Sequence, residues 1–177
     1  MSKLSSTVGP KKIREPIVEG IFYPSEAAKL QEEVDGLLAD ARNNPQKSNR
    51  ARAIIAPHAG YQYCGKYSAS AFIAAEGRDI DTVVIIAPVH REPEDSIFLT
   101  ESAFFATPLG KTAVLQELNS ELEECSTRIF RNDLPHLEEH AIEVQLPFIQ
   151  TLFPKAGVIP ILMGRATATN VRLLSRA

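Results

Sequence analysis

The sequence predicts an α/β fold of three layers, in which helices cover both faces of a mostly parallel sheet. Short runs rich in Val and Ile, at residues 52–58, 82–90 and 156–163, have the length and composition of buried parallel strands. Segments with apolar residues at helical spacing alternate with these runs along the chain. At 177 residues the chain is long enough for one domain with a full core.

The N-terminal part is predicted to contain an arm, a helix and the first strand. Residues 1–13 are polar and include Gly9-Pro10, so we expect a flexible arm there and an α/β domain over 14–177. Ser25 is the predicted N-cap of an amphipathic helix. Its apolar positions fall at helical spacing: Leu30, Val34, Leu37, Leu38 and Ala41. Turn formers at 43–49 predict a loop that leads into the first strand.

Residues 52–90 are predicted to form a β-α-β unit with two parallel strands. A turn-rich connection follows His58 up to Gly65, and the Ala- and Ser-rich residues 66–75 favour a helix. Because a helical crossover joins parallel strands, both strands should end at the same edge of the sheet. The strands are either neighbours, about 4.8 Å apart, or separated by one further strand between them.

The C-terminal half is predicted to continue the alternation of strands and helices. Pro147 should either kink the helix predicted there or begin its main part. Pro160 argues for an edge position or an interrupted ladder in the last strand. The remaining predicted elements are a strand at 96–100, a turn at 106–110, and helices at 113–122, 138–153 and 167–174.

Composition and charge exclude several classes of function. The chain has a net charge of −3 and no basic tract, so nucleic-acid binding is not expected. No apolar stretch approaches the roughly 18 residues that cross a bilayer, and the N-terminus lacks the apolar region of a secretory signal. Cys64 and Cys125 are too few for a disulfide framework, so we expect a cytoplasmic location.

Two histidines directly follow predicted strands, in Arg52-Ala-Ile-Ile-Ala-Pro-His58 and Thr82-Val-Val-Ile-Ile-Ala-Pro-Val-His90. Open α/β sheets bind ligands in the crevice beyond the carboxyl ends of their strands. We therefore predict His58 and His90 as metal ligands, although a polar loop residue after a strand-ending proline is the plain alternative. Two histidines are one ligand short of a typical catalytic zinc or iron site. The candidates for the third ligand are Glu139, Glu143, His140 and Cys64.

A second cluster lies in Pro135-His-Leu-Glu-Glu-His-Ala-Ile-Glu143. Its ionisable residues recur at spacings of three and four, which on a helix would place His140 and Glu143 on one face. We predict these two as catalytic residues, with His140 as acid, base or substrate contact. The alternative interpretation is a solvated helix start with acidic residues in its first turn.

The motifs together resemble the Memo family, whose bacterial and archaeal members are called AmmeMemoRadiSam system protein B. The resemblance runs from about Arg14 to Gly164. It is carried by five segments, namely Gly20-Ile-Phe-Tyr-Pro24, Ala56-Pro-His-Ala-Gly-Tyr-Gln-Tyr-Cys-Gly65, Ala87-Pro-Val-His90, Thr107-Pro-Leu-Gly110 and Glu139-His-Ala-Ile-Glu-Val-Gln-Leu-Pro-Phe148.

The resemblance implies a site like that of LigB-type extradiol dioxygenases, which use non-haem iron at the carboxyl edge of an α/β sheet. The family's metal-site histidines fall on His58 and His90, and its Glu-His-x-x-Glu segment near the pocket falls on residues 139–143. Val89 stands where the family has Ser or Asn. The family's later Asp-x-x-His segment and metal-site cysteine have no match after Gly164. We therefore expect the N-terminal part of a Memo-like protein that binds iron or copper weakly or not at all.

Two functions follow as expectations. The first is a metal-dependent redox or dioxygenase-like site at the carboxyl edge of the sheet, incomplete in this chain. The second is a non-catalytic module that binds a peptide or small molecule in the same crevice. An incomplete sheet would also expose an edge and apolar surface, which favours self-association.

Overall fold

The computed structural model describes residues 12–43, 51–91 and 94–177. The strands are β1 Ile13–Arg14, β2 Thr82–Pro88, β3 Ile97–Leu99, β4 Phe104–Thr107, β5 Gly110–Ala113, β6 Ile129–Arg131 and β7 Gly157–Met163. The helices are α1 Ala27–Asn43, α2 Tyr61–Ile73, α3 Gln116–Cys125, α4 Asp133–Glu138, α5 Leu146–Leu152 and α6 Ala168–Leu174, with a 3₁₀ turn at Glu143–Gln145.

The strands form two mixed sheets, and the predicted α/β class is confirmed. The main sheet has the order β2-β7-β3-β6, in which β2 is parallel to β7, β6 is parallel to β3, and β3 is antiparallel to β7. The smaller sheet has the order β1-β4-β5, with β1 parallel to β4 and a β4–β5 hairpin. The hairpin and β6 were not anticipated from the sequence, because strands of three or four residues are too short to show a period.

Strand β7 shows how the layers are built, because its two faces enter different cores. Val158 and Leu162 pack in the larger core, which also contains buried residues of α1, α2 and α5. Ile159 and Ile161 pack on the opposite face with leucines of α3 and α6. Helices therefore cover both faces of the main sheet, as the run of apolar residues in this strand predicts.

Pro160 does not mark an edge, because β7 lies between β2 and β3, but the ladder with β3 does stop before this residue. Gly157 donates its N–H to the carbonyl of Asp81, and Val89 donates to the carbonyl of Met163. Alternate residues of a parallel strand bond to the same neighbour, so the odd-numbered residues of β7 face β2. The backbone of Pro160 faces the other side, where the β3 ladder reaches only Leu162 and Met163. The missing N–H of the proline therefore removes no ladder bond.

The region before β2 differs from its prediction in two ways. Helix α2 begins at Tyr61 rather than near residue 66, because Tyr61, Cys64, Ser68 and Phe72 form a buried face at helical spacing. The predicted first strand at 52–58 has no ladder partner and is not a strand. The segment still leads to His58 as predicted, but the predicted β-α-β unit lacks its first strand.

The helix predicted at 138–153 is divided into separate elements. Helix α4 ends at Glu138, and Glu139 adopts an extended conformation with φ −101° and ψ 128°. The Glu139 carboxylate accepts the N–H of Ala141, a local bond that competes with helix continuation. Pro147 lies in the first turn of α5, which confirms that it begins the main part of the helix.

The predicted arm at 1–13 lies outside the described residues up to residue 11. Lys12 and Ile13 are described: Ile13 pairs with Phe104 in the small sheet, and Lys12 accepts the N–H of Ala103. The loop predicted at 43–49 also lies largely outside the described residues. Among the helices that the structure describes, none has the length and apolar character needed to cross a membrane.

Candidate metal centre

Three histidine rings meet at the carboxyl end of β2. The ring centroids of His58 and His90 are 5.1 Å apart, those of His90 and His140 are 5.0 Å apart, and those of His58 and His140 are 6.0 Å apart. The residues come from separate parts of the chain: the extended segment before α2, the end of β2, and the turn after α4. The structure thus brings together the two predicted ligands and adds a third imidazole.

The backbone on either side holds these rings in place. The carbonyl of Pro57, next to His58, accepts hydrogen bonds from the hydroxyl of Ser68 and the amide Nε2 of Gln145. Val89, next to His90, donates the final bond of the β2–β7 ladder to Met163. The ring of His140 packs edge-on against Phe22 at 4.8 Å. Each ring is therefore anchored by a different part of the core.

Glu139 fixes the orientation of His90. Its buried carboxylate accepts the backbone N–H of His90 at 2.9 Å and faces the Nδ1 atom of the same ring at 2.9 Å. It also accepts the N–H of Ala141 at 2.9 Å. Because a carboxylate only accepts, Nδ1 of His90 carries the proton in the neutral ring and Nε2 is left with a free lone pair. This is the arrangement that orients metal-bound histidines in proteins.

The surroundings favour neutral rings at His58 and His140 and an ionised carboxylate at Glu139. Burial lowers the pKa of His58, and the nearby His90 lowers it further. Burial also lowers the pKa of His140, although the neighbouring Glu139 acts in the opposite direction. For Glu139, burial alone would raise the pKa, but hydrogen bonds from Ala141 and His90 outweigh it and lower the pKa. Neutral imidazoles and an ionised carboxylate are the forms that bind metal ions.

Part of this cluster could hold a metal ion. An imidazole nitrogen binds zinc-like ions at about 2.0–2.1 Å, so tetrahedral ligands place their ring centroids roughly 5 Å apart. The observed separations of 5.0, 5.1 and 6.0 Å lie close to that value. The tightest set of donor atoms comes from His90, Glu139 and His140, all within 4.8 Å of one another. His58 is not a member of this set, although its ring is near those of His90 and His140.

Glu143 is not part of the cluster, although the sequence placed it beside His140. Its carboxylate is fully buried and pairs with the guanidinium of Arg14. It also accepts the N–H groups of Ile17 and Val18 and the hydroxyl of Tyr23 at 2.6 Å. The predicted shared helix face does not exist, because residues 139–142 are not helical. Through these bonds the carboxylate anchors residues 14–23 to the 3₁₀ turn.

The other candidates are also placed away from the rings. His136 is buried, with Nε2 3.2 Å from the carbonyl of Phe98, and burial lowers its pKa to about 4. Cys64 is a buried free cysteine whose thiol donates to the carbonyl of Ala59. Both side chains are bonded to backbone carbonyls and lie outside the histidine cluster.

Comparison with known proteins identifies the family. A family model described as Memo-like protein matches residues 14–177. The chain belongs to the Memo-like family. Proteins named as MEMO1 family members resemble it: one from Pyrococcus abyssi is 39% identical over 171 residues, covering 93% of this chain and 58% of the relative.

Two further Memo relatives give the same result. A Thermotoga neapolitana protein is 35% identical over 159 residues, covering 84% of this chain and 57% of its own length. A Pyrobaculum arsenaticum protein is 31% identical over 176 residues, covering 94% and 61%. The chain therefore spans less than two thirds of the length of these relatives.

Sequence reasoning missed residues that support the histidine cluster and its surroundings. Arg14 and Tyr23 bind Glu143, and Phe22 contacts His140. The segment Gly20–Pro24 stood out only through its resemblance to the family. Nothing in its spacing could reveal that it packs against residues more than a hundred positions away.

Proposed function

We propose that His58, His90 and His140 bind one transition-metal ion and that the chain is a Memo-type protein with a metal-dependent redox or dioxygenase-like site. The observation that carries this proposal is the convergence of three imidazoles with a buried carboxylate at the carboxyl edge of the main sheet. A solvated helix start would not gather these groups around one point. The third ring is also the reason to expect firmer binding than two histidines would give.

Imidazole and carboxylate donors suit iron, copper and zinc, and the family resemblance favours iron or copper. Such an ion would supply a Lewis acid and, for iron or copper, a redox couple at this edge. The chain's own residues would prepare the site. Glu139 holds the proton on Nδ1 of His90 and leaves Nε2 free. His90 is the most exposed of the donor side chains, so the cluster opens to solvent and to a small substrate.

His140 has two roles to be separated. As third ligand it should be required for metal binding. As the acid or base predicted from the sequence, its neutral ring would accept a proton from a bound substrate while the other residues held the ion. The lowered pKa of His140 keeps the ring unprotonated near neutral pH and is compatible with either role.

The experiment is a titration of the metal-free chain with Fe²⁺ under anaerobic conditions and with Cu²⁺, followed by calorimetry. We expect one ion per chain with micromolar or tighter affinity, and at least a tenfold loss in His58→Ala and His90→Ala. His136→Gln is the matched control, since that histidine lies outside the cluster. Equal binding in His90→Ala and the control would contradict the proposal. Oxygen consumption with catechol-type substrates then tests the redox activity.

The second candidate is a binding module without chemistry, for a peptide or small molecule. The observation that favours it is the exposed ring of His90 at the mouth of the crevice. Loss of ligand binding in His58→Ala without any metal requirement would favour this function over the first. For location, we propose a reducing compartment such as the cytoplasm, because Cys64 and Cys125 are both free.

A further inference from the structure

An unpaired backbone segment borders the main sheet just before the histidine cluster. Residues 52–56 make no backbone hydrogen bond within the described ranges. Their neighbour Ala51 donates its N–H to the carbonyl of Ala74, just after α2, and accepts a bond from the guanidinium of Arg78. Ile54, Ala56 and His58 nevertheless point to one side and Ile55 to the other, as in a strand. The segment therefore has the alternation of a strand but no neighbour.

The free edge of β2 faces the same space. Asp81 and Val89 bond to β7, so the residues that continue this ladder are the odd-numbered ones. The N–H and C=O groups of Val84 and Ile86 then face away from β7, and they have no hydrogen-bond partner in the described part of the chain. Strand β2 is the edge of the main sheet.

An apolar channel lies between these two backbones. One wall is formed by Ile54, Ala56 and His58, and the other by β2. Phe72, Ala141, Gln145 and Ile149 also line the channel, and no lining residue carries a fixed charge. No backbone hydrogen bond joins the two walls. This is expected if the space between them is the position of one further strand. Its end at His58 and Pro88 opens beside the metal centre.

Both segments that border this channel also carry exposed apolar side chains, although others, such as Tyr63 and Leu134, lie elsewhere on the described surface. Ile55 is 98% exposed, and on β2 Val84 and Ile86 are 54% and 58% exposed. Their counterparts on β7, Ile159 and Ile161, are covered by α3 and α6. The edge strand β2 is thus less covered than its neighbour β7, which is typical of a surface that receives a partner.

We propose that this channel is the docking site of a single β-strand with alternating apolar residues, supplied by the part of Memo-like chains that this chain does not span. The match covers 57% of the Thermotoga neapolitana relative, so a large portion of that protein has no counterpart here. A strand in the channel would pair with Val84 and Ile86 on one side and with residues 53–56 on the other. It would reach the metal centre beside His58. This proposal does not depend on metal binding.

The test is to co-express the full 177-residue chain with the unmatched part of the Thermotoga neapolitana relative and to isolate the complex through a tag on this chain. Hydrogen–deuterium exchange is then measured without metal. We expect a 1:1 complex in which the amides of Val84, Ile86 and residues 53–56 exchange at least tenfold more slowly than in the isolated chain. Absence of a complex, or a complex in which these amides stay unprotected, would overturn the proposal.

A matched pair of variants separates docking from folding. Ala56→Asp places a charge in the channel wall, whereas Ala53→Asp places the same charge on the exposed side. We expect Ala56→Asp to weaken the complex at least tenfold and Ala53→Asp to leave it intact, with similar thermal midpoints for the two isolated variants. As a second variant, Val84→Pro removes one outward N–H from the edge and should also weaken the complex. If the isolated chain protects the same amides as its concentration rises, the occupant is a second copy and the proposal is wrong.

Discussion

Replacing Glu143 with Gln tests whether this carboxylate fastens the fold, as its contacts indicate. The carboxylate is fully buried, and Arg14, its partner, is 1% exposed. The substitution removes the negative charge and leaves the buried guanidinium without its counterion. Breaking a buried pair from one side costs about 3–5 kcal/mol. Arg14 keeps its bonds to the carbonyls of His136 and Glu139, so we expect a loss near the lower end of this range.

The assay is urea unfolding followed by circular dichroism, with the exposed Glu138→Gln as the matched control. A loss of about 3 kcal/mol corresponds to a fall in the thermal midpoint of roughly 6–12 °C for a domain of this size. The double variant Arg14→Met/Glu143→Gln should recover part of the loss, because no orphaned cation remains. If Glu143→Gln unfolds like the control, the fastening role is wrong. If it is equally stable but loses activity with metal bound, the catalytic role predicted from the sequence is the correct one.

Three further predictions address other parts of the chain. Glu139→Gln should weaken metal binding about 10- to 100-fold if the carboxylate orients His90. Calorimetry measures this loss, with Glu138→Gln as the control. Complete loss of binding would instead indicate that Glu139 is itself a ligand. The pKa of His136 is lowered to about 4, so its contribution to stability is complete above pH 6.5 and is lost as the pH falls toward 4. His136→Gln should therefore reduce the acid-induced loss in unfolding free energy by up to about 3 kcal/mol, and an unchanged pH profile would refute this. Gly164→Ala should destabilise by about 1–3 kcal/mol, because a Cβ there would lie 2.1 Å from the carbonyl oxygen of Glu94. Gly36→Ala, in α1 with no atom nearby, should stabilise by about 0.5–1 kcal/mol, and thermal unfolding compares the two.

The sequence predicted the elements with strong periodicity and the residues at their ends. Helix α1 buries Leu30, Val34 and Leu38 as its spacing required, and β2 and β7 lie where their Val- and Ile-rich runs indicated. The position of His90 followed from the rule that ligand sites form beyond the carboxyl ends of strands, and His58 meets it although residues 52–58 form no strand. Local pattern was sufficient for these features.

The remaining features depend on long-range contacts that no local pattern contains. The segment at 52–58 has a strand's composition, but a ladder also requires a neighbour. Helix α4 ends before Glu139 because the Glu139 carboxylate bonds to the N–H of Ala141. The helical spacing therefore wrongly placed Glu143 beside His140. The true partner of Glu143 is Arg14, 129 residues away along the chain.

The proposed metal centre is tested most directly by an anomalous difference map from crystals of this chain loaded with Co²⁺. We predict one strong peak per chain, bordered by the imidazoles of His58, His90 and His140, with the Glu139 carboxylate still bonded to Nδ1 of His90. A map without a peak between these rings, or with its main peak at the exposed Cys125, would contradict it.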